Sequence, residues 1–334
     1  MKKDSQSRRI GFLPIDEECC ALLRDQDGSV ILESYAYEVG FFRFNWHPSV
    51  EILFILKGAL KAYTEQGIYE LNEDDYMVIN ANEGHATMFL RPDTRAAVLH
   101  LSQERLDQVC GQDVRPFFHY VSSEKDNSAA DRAFRSILAA VYLAATEKKP
   151  HADLLLTSQF YSLSWLLMSL AAVEQRTRKE EQLSRAQQRA VGAMTDHIDK
   201  NFRRRITLAD MAALTGMNGT YVSTYFKAHT GIGFHEYLTR RRLAHAADRL
   251  NNTDESVASI ALDSGFPDVK AFHTAFRKYF SLPPGEYRDT LNRRSSAAVK
   301  TLHPHRFSPS DPCVRQKMLA YLEQAPLTDA LMRC

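Results

Sequence analysis

One unit is written twice in the C-terminal half of this 334-residue chain. The first copy runs from Ile206 to Gly231 and the second from Val257 to Pro284, about fifty residues further on. Each opens with a short apolar helical stretch, breaks at a glycine (Gly216, Gly265), and passes through a polar turn into a second helix. In those second helices Val222 and Phe226, or Phe272 and Phe276, recur at i, i+4 and leave a polar opposite face. Glycine supplies the left-handed conformation that a helix C-terminus often needs. In the second copy Pro267 cannot continue the helix before it, and Asp268 can cap the helix after it. This is the shape of a helix-turn-helix, whose second helix lies in a DNA major groove. A plain helical bundle with solvated faces would imitate one such pattern; the repetition at fixed spacing argues against it.

The outward positions of the second helices are Thr220, Ser223, Thr224 and Lys227 in the first copy, and Lys270, His273, Thr274 and Arg277 in the second. Between the copies, residues 234–250 read as a helix with Leu238, Leu243 and Leu250 among its apolar positions. At 1.5 Å per residue it spans about 24 Å. A rigid connector of that length can set two helices into successive major grooves, which recur about every 34 Å. Arg240, Arg241 and Arg242 on this connector are phosphate-contact candidates, with an ordinary solvated face as the competing reading. Residues 185–294 hold 17 Lys and Arg against 11 Asp and Glu, while the rest of the chain is acidic. That polarity agrees with a nucleic-acid partner for the basic half alone.

The run Ile260–Phe266, followed by Phe272, Phe276, Arg277, Lys278, Pro284, Tyr287 and Arg288, resembles the C-terminal signature of the AraC/XylS transcriptional regulators. Leu208–Ala212, Phe226, Lys227, Gly231, Tyr237 and Leu238 resemble that family's first helix-turn-helix. The resemblance covers residues 185–292. Ser281 stands where the family usually has Gly, and Gly219 where it usually has Ser or Pro. It implies a bipartite DNA-binding domain with Thr220, Ser223, Thr224, Lys270, His273 and Thr274 facing bases. None of these is Arg, so the commonest bidentate guanine contact is absent and shape and backbone contacts gain weight.

The N-terminal half is a series of short β-rich runs: 30–32, 41–44, 51–56, 60–63, 69–71, 76–79, 86–90 and 96–101. Gly58, Gly67, 72–75, 80–84 and 91–93 punctuate them, which predicts a barrel or double-sheet jelly roll. Trp46 to Gly58, followed by Asn82 to His85, resembles the two half-motifs of a cupin, the sensor domain of many AraC-type proteins. Cupin enzymes use two His, a Glu and a further His to bind a metal. His47, Glu51 and His85 fill three matching positions here, but Asn45 stands at the first. Since AraC-type cupins generally sense ligands without metal, the expectation is no metal and no cofactor, with those three residues as the fallback ligand set. Tyr37, Arg43, Trp46, His47, Glu51 and His85 supply aromatic faces and hydrogen-bonding groups for a small molecule, though each can equally be a packed barrel residue. The resemblance, rather than the residues, makes a sugar the expected effector.

Residues 129–175 read as two helices. Phe134, Ile137, Val141 and Ala144 stripe one; Leu156, Phe160, Leu163, Leu167 and Leu170 stripe the other with heptad-like spacing. The preferred reading is a dimerisation interface, and the competing one a helix pair packed on the barrel. Residues 154–173 are uncharged, but their serines and periodic apolar positions favour a packed helix over a membrane span. Five scattered cysteines predict no disulfide framework, and the charged start has no signal-peptide core.

The expected architecture is α+β and multidomain: a cupin-like sensor barrel over 1–128, a helical dimerisation segment over 129–175, and a charged linker over 176–186. An all-α double helix-turn-helix follows over 187–292, and a tail over 293–334 carries a short helix and no assigned role. The expected function is an effector-responsive, sequence-specific cytoplasmic transcription regulator and not an enzyme; the resemblance implies an activator of carbohydrate-uptake or carbohydrate-use genes. Its partners would be double-stranded promoter DNA, a small effector, a second copy of the chain, and RNA polymerase if it activates; no membrane is involved. The competing class is a metal-dependent cupin enzyme fused to a DNA-binding domain.

Overall fold

The computed structural model describes residues 20–40, 43–45, 47–91, 93–110, 115–122, 128–147, 151–170, 174–176, 178–294, 306–308 and 310–324. The chain begins with strands β1 (Ala21–Arg24), β2 (Val30–Glu38), β3 (Arg43–Asn45), β4 (Ser49–Lys57), β5 (Ala59–Thr64) and β6 (Ile68–Asn72). Next come β7 (Tyr76–Ile79), β8 (His85–Phe89), β9 (Arg95–Ser102), α1 (Gln103–Cys110), β10 (Arg115–Phe117) and β11 (Tyr120–Val121). Helices α2 (Ala129–Glu147) and α3 (Ala152–Leu170) precede β12 (Glu174–Arg176) and α4 (Arg178–Asn201). The remaining helices are α5 (Leu208–Thr215), α6 (Gly219–Thr230), α7 (Phe234–Asn252), α8 (Val257–Asp263), α9 (Val269–Phe280), α10 (Pro284–Arg294) and α11 (Pro312–Gln324).

An antiparallel sheet in the order β1-β2-β9-β4-β7-β11 faces a second sheet, β3-β8-β5-β6, across one apolar core. Strand β4 explains why its sequence is an almost unbroken apolar run: both of its faces are covered. Val50, Ile52, Phe54 and Leu56 point to a helical layer, while Leu53 and Ile55 point into the barrel. Glu51 shares the inward side and is the polar exception, 4% exposed.

The outer face of the larger sheet is covered by α2, α3 and α11. The outer face of the smaller sheet is covered by the C-terminal helices: Tyr63 of β5 and Ala86 of β8 join the core of α4 to α9. Adjacent residues of one strand thus serve different neighbours, since Ala62 packs inside the barrel and Tyr63 against the helices.

Three expectations need correction. The supposed dimer seam is used internally: Leu156, Phe160, Leu163 and Leu167 are buried against α2 and the sheet. A stripe of apolar residues marks an apolar neighbour without saying whose chain supplies it. The side chain of Leu170 lies outside the described residues. The exposed side of α3 carries Leu154, Tyr161 and Trp165, which are 71%, 47% and 43% exposed.

The charged linker expected over 176–186 is helical from Arg178 onward. Residues 174–176 pair with β10, and α4 starts at Arg178, because Lys, Glu, Gln and Arg are good helix formers.

The short helix expected in the tail is α11, and it has a definite place. Arg306 bridges Tyr37, the Phe307 amide donates to Ala36 O, and Val314, Met318 and Tyr321 of α11 pack on the core beside α2. The third correction, to the connector arginines, follows with the site. Among the described residues no helix is long and apolar enough to cross a membrane.

Candidate nucleic-acid interface and sensor site

Each helix of the duplicated unit is cut to length by local chemistry. Thr207 and Asp210 form a reciprocal capping box at the start of α5, and Gly216 ends it at φ 68°. Asn218 accepts from the Thr220 amide at 2.9 Å to start α6, which ends at Gly231, φ 73°. In the second copy Ser256 caps α8, Gly265 turns the chain at φ 84°, and Asp268 accepts from the Ala271 amide at 2.7 Å to start α9. Helix α9 ends at Ser281 in the left-handed conformation, φ 60°, without a glycine.

The two second helices bury Val222 and Phe226, or Phe272 and Phe276, completely. That leaves Thr220, Ser223, Thr224 and Lys227 exposed on α6, together with Tyr221. On α9, Lys270, Thr274 and Arg277 are exposed and His273 is half-buried. Lys270 and Thr274 also border a shallow groove of about 610 Å³ shared with His235, Glu236 and Thr239 of α7. Eight of the ten residues expected at DNA therefore lie on α6 and α9, seven of them exposed.

Arg240 and Arg241 do not present a phosphate-binding face. Arg240 is 4% exposed, pairs with Glu236, and lies 4.5 Å over the Tyr63 ring of the barrel. Arg241 donates to Asp199 at 3.0 Å and stacks on Phe202. Arg242, singled out on the same connector, donates to the carbonyls of Phe202 and Arg204 at 2.8 Å each. Three consecutive helical residues point about 100° apart, so a triple arginine cannot form one face. Here it ties α7 to the barrel and to the end of α4.

The barrel gathers a second constellation. In register across three strands, Glu33 of β2 faces His100 of β9, which faces Glu51 of β4. His47 lies at the entry to β4, and His85 arrives from β8 in the opposite sheet. His47 Nε2 and His100 Nε2 each lie 2.9 Å from Glu51 Oε2, and His85 Nε2 lies 3.4 Å from the same atom. The other ring nitrogens face outward. His47 Nδ1 donates to Ser49 O and His85 Nδ1 to Glu83 O, both at 3.0 Å, while His100 Nδ1 lies 3.6 Å from Glu33 Oε2. Arg306 from the tail lies 3.4 Å from Glu33 Oε1, donates to Cys20 Sγ, and sits 3.8 Å over the Tyr35 ring.

Burial works against every charge in this cluster, and the partners decide the outcome. Burial holds the His47 pKa down to about 4, helped by the neighbouring histidines. Burial also opposes the His100 cation, but the Glu33 and Glu51 carboxylates on either side outweigh it and raise its pKa to about 9. His85 is raised as well, because Glu51 overrides its burial. The three imidazoles hold the Glu51 carboxylate well below its ordinary range despite burial.

Of the expected effector residues, the structure brings His47, Glu51 and His85 together and places Tyr37 beside Tyr35, ring centroids 5.9 Å apart. Arg43 lies in β3, but its side chain and all of Trp46 lie outside the described residues. His100, Glu33, Tyr35 and Arg306 were not anticipated. Strand alternation carried a signal for three of them: His100 shares parity with inward Ala96 and Val98, and Glu33 and Tyr35 share it with Tyr37. Nothing local pointed to Arg306, which is 273 positions away from Glu33.

Two family models cover both halves. The AraC-like ligand-binding domain matches residues 28–164, and a helix-turn-helix domain model matches 211–290. The chain belongs to the AraC-type family of helix-turn-helix transcription regulators, a family of DNA-binding proteins rather than enzymes. An HTH-type transcriptional regulator of Staphylococcus aureus is 25% identical over 240 residues, which is 72% of this chain and 31% of that protein. The melibiose operon regulatory protein of Escherichia coli is 31% identical over 134 residues, 40% of this chain and 44% of that one. The C-terminal domain of the response regulator AraT from Geobacillus stearothermophilus is 31% identical, covers 30% of this chain and 84% of that domain, and superposes with a TM-score of 0.29. The chain spans less than half the length of these two curated relatives.

Proposed function

We propose that this chain is an effector-responsive, sequence-specific regulator of transcription that acts in the cytoplasm. Helices α6 and α9 would enter adjacent major grooves, and the barrel would receive a small molecule. The observation that carries the reading is the shared design of the two recognition helices: aromatic or aliphatic residues wholly buried, hydroxyl and basic residues left outward. Thr220, Ser223, Thr224, Lys270, His273 and Thr274 are assigned to base edges, and Lys227 and Arg277 to phosphates.

A carbohydrate is the favoured effector. The name of the melibiose operon regulatory protein supports this, as do the tyrosine rings and hydrogen-bonding groups inside the barrel. Activation of carbohydrate-use genes through RNA polymerase follows family habit. A homodimer is proposed through the outward face of α3 at Leu154, Tyr161 and Trp165, the side that its own core leaves uncovered. The proposed functional division is a sensor of barrel, α2, α3 and docked tail, and a DNA-binding unit from α4 to α10.

The test is fluorescence anisotropy of the purified protein with the DNA upstream of its own gene, at fixed salt, with a panel of sugars. Specific binding shifted by one sugar supports the whole reading. Specific binding indifferent to every sugar removes the carbohydrate and keeps the regulator. No preference for any sequence, there or in genome-wide selection, overturns it.

A further inference from the structure

We propose that the barrel holds a divalent first-row transition-metal ion on His47, Glu51, His85 and His100. The sequence pointed away from a metal because Asn45 stands at the first ligand position. The fold supplies a histidine from elsewhere: His100, on β9, reaches the same carboxylate oxygen as His47.

The hydrogen bonds carry the argument. A carbonyl oxygen can only accept, so the Nδ1 atoms of His47 and His85 must hold their ring protons against Ser49 O and Glu83 O. In the neutral rings each Nε2 then presents a lone pair, and both lone pairs point at the Glu51 carboxylate. Lone pairs directed at a buried anion repel it unless positive charge lies among them, and either added protons or a metal ion supplies that charge. His85 Nε2, fully buried, lacks a hydrogen-bond partner of good geometry.

The spacing suits a metal ion. Donor atoms of His47, Glu51 and His100 all lie within 4.8 Å of one another, with Glu51 Oε2 at 2.9, 2.9 and 3.4 Å from the three imidazoles. Neighbouring donors around an ion with bonds of about 2.1 Å stand roughly 3.0–3.4 Å apart.

The outer contacts also match. A ligating imidazole usually gives its other N–H to a carbonyl or carboxylate, which fixes the ring and raises its basicity. His47 and His85 use carbonyls, and His100 faces Glu33, which Arg306 holds. Three imidazoles and one carboxylate suit Zn(II), Co(II), Fe(II) or Mn(II), whereas Ca(II) and Mg(II) prefer an all-oxygen shell. This inference does not depend on DNA binding, which a separate assay reads.

The full-length protein would be stripped with a chelator, dialysed, and titrated with Co(II) and then Zn(II). One equivalent of Co(II) is expected, with a visible d–d spectrum that one equivalent of Zn(II) abolishes. Glu33→Gln should weaken binding about 10–100-fold by loosening His100. His100→Asn and Glu51→Gln should lose the spectrum, and the distant His235→Asn should keep it; circular dichroism confirms the fold of each. Folded wild type that gives no Co(II) spectrum and no bound Zn(II) shows a cluster held by protons alone and overturns the proposal. A folded His100→Asn variant with the wild-type spectrum and affinity overturns the ligand set. Should the variants not fold, the wild-type titration alone decides.

Discussion

Replacing Gly216 and Gly265 by alanine, one at a time, separates two reasons for a glycine at the same place in a repeated turn. Both are left-handed, at φ 68° and 84°. That conformation costs an L-residue about 1–2 kcal/mol, and alanine recovers about 0.4–1 kcal/mol by restricting the unfolded chain. The net conformational loss is therefore about 0.5–1 kcal/mol at either site.

The surroundings then divide them. A Cβ on Gly216 meets nothing within 4 Å, whereas a Cβ on Gly265 would lie 2.6 Å from Phe202 O and 2.8 Å from Arg203 Cα. Those are backbone atoms of the turn that follows α4, so relief requires moving that turn or the one at Gly265, an overpacking cost of about 1–3 kcal/mol. Gly265→Ala should lose about 2–4 kcal/mol and Gly216→Ala about 0.5–1 kcal/mol. Ser281, left-handed at φ 60° without a glycine, supplies the reverse test: Ser281→Gly should gain about 0.5–1 kcal/mol. Native-state hydrogen exchange on amides of α6 and α9 reads each unit locally. Equal losses at the two glycines would refute the close approach of the Phe202–Arg203 backbone as the cause.

Lys227→Ala should lower the slope of log affinity against log salt by about 0.9, one phosphate contact, in anisotropy titrations. Arg240→Ala should leave that slope unchanged, because its guanidinium lies against Tyr63; an altered slope returns Arg240 to the DNA face. Trp165→Glu, on the exposed face of α3, should yield a monomer in sedimentation where the wild type is a dimer, and an unchanged mass removes α3 from the interface. Burial, with Arg203 and Arg241 nearby, lowers the His245 pKa from 6.5 to about 4. The unfolded chain therefore binds a proton between those values that the folded chain refuses, and stability falls as pH drops through that window. His245→Gln should flatten this part of the pH–stability curve; an unchanged curve would place the titration elsewhere. Arg306→Ala should destabilise the sensor by about 3–5 kcal/mol, since it takes a buried cation from Glu33. Adding Glu33→Gln should recover part of that loss in thermal unfolding, and no loss at all would mean the pair is dispensable.

The duplicated unit was legible because its signals are local. Glycines and caps adjoin the short helices they bound, and the outward positions follow once the buried ones are known. The barrel strands were legible for the same reason, through turn residues between short β-rich runs. What the sequence hid was partnership at a distance. The spacing of Leu156, Phe160, Leu163 and Leu167 is the same whether the opposing surface is α2 or a second chain, and the structure chooses α2. A triple arginine looks like a phosphate patch until Tyr63, Asp199 and Phe202 are folded against it. His100 and Glu33 became visible as a pair only through the β2–β9 register, which no pattern within either strand specifies.

Communication between barrel and DNA-binding helices follows from the alternation of two strands. On β8, His85 touches the Glu51 cluster while Ala86, the next residue, packs on the helical domain. On β5, Ala62 lines the barrel while Tyr63 carries Arg240, and His229 of α6 pairs with Glu65 at 3.0 Å. A shift of β8 that follows His85 must therefore move a surface on which α6 and α7 rest, since a strand cannot displace one face without the other. The tail adds a second route, because the chain leaves α10 and returns through Arg306 to Glu33, the partner of His100. Neither route does anything by itself. An effector biases the helices only if it binds one arrangement of this contact more tightly than another, by about 1.4 kcal/mol for each tenfold change in DNA affinity. Contacts made with the wall of the larger sheet alone would give tight binding and no response, whereas contacts at His85, directly or through Glu51 beside it, reach the sheet that the DNA-binding helices rest on.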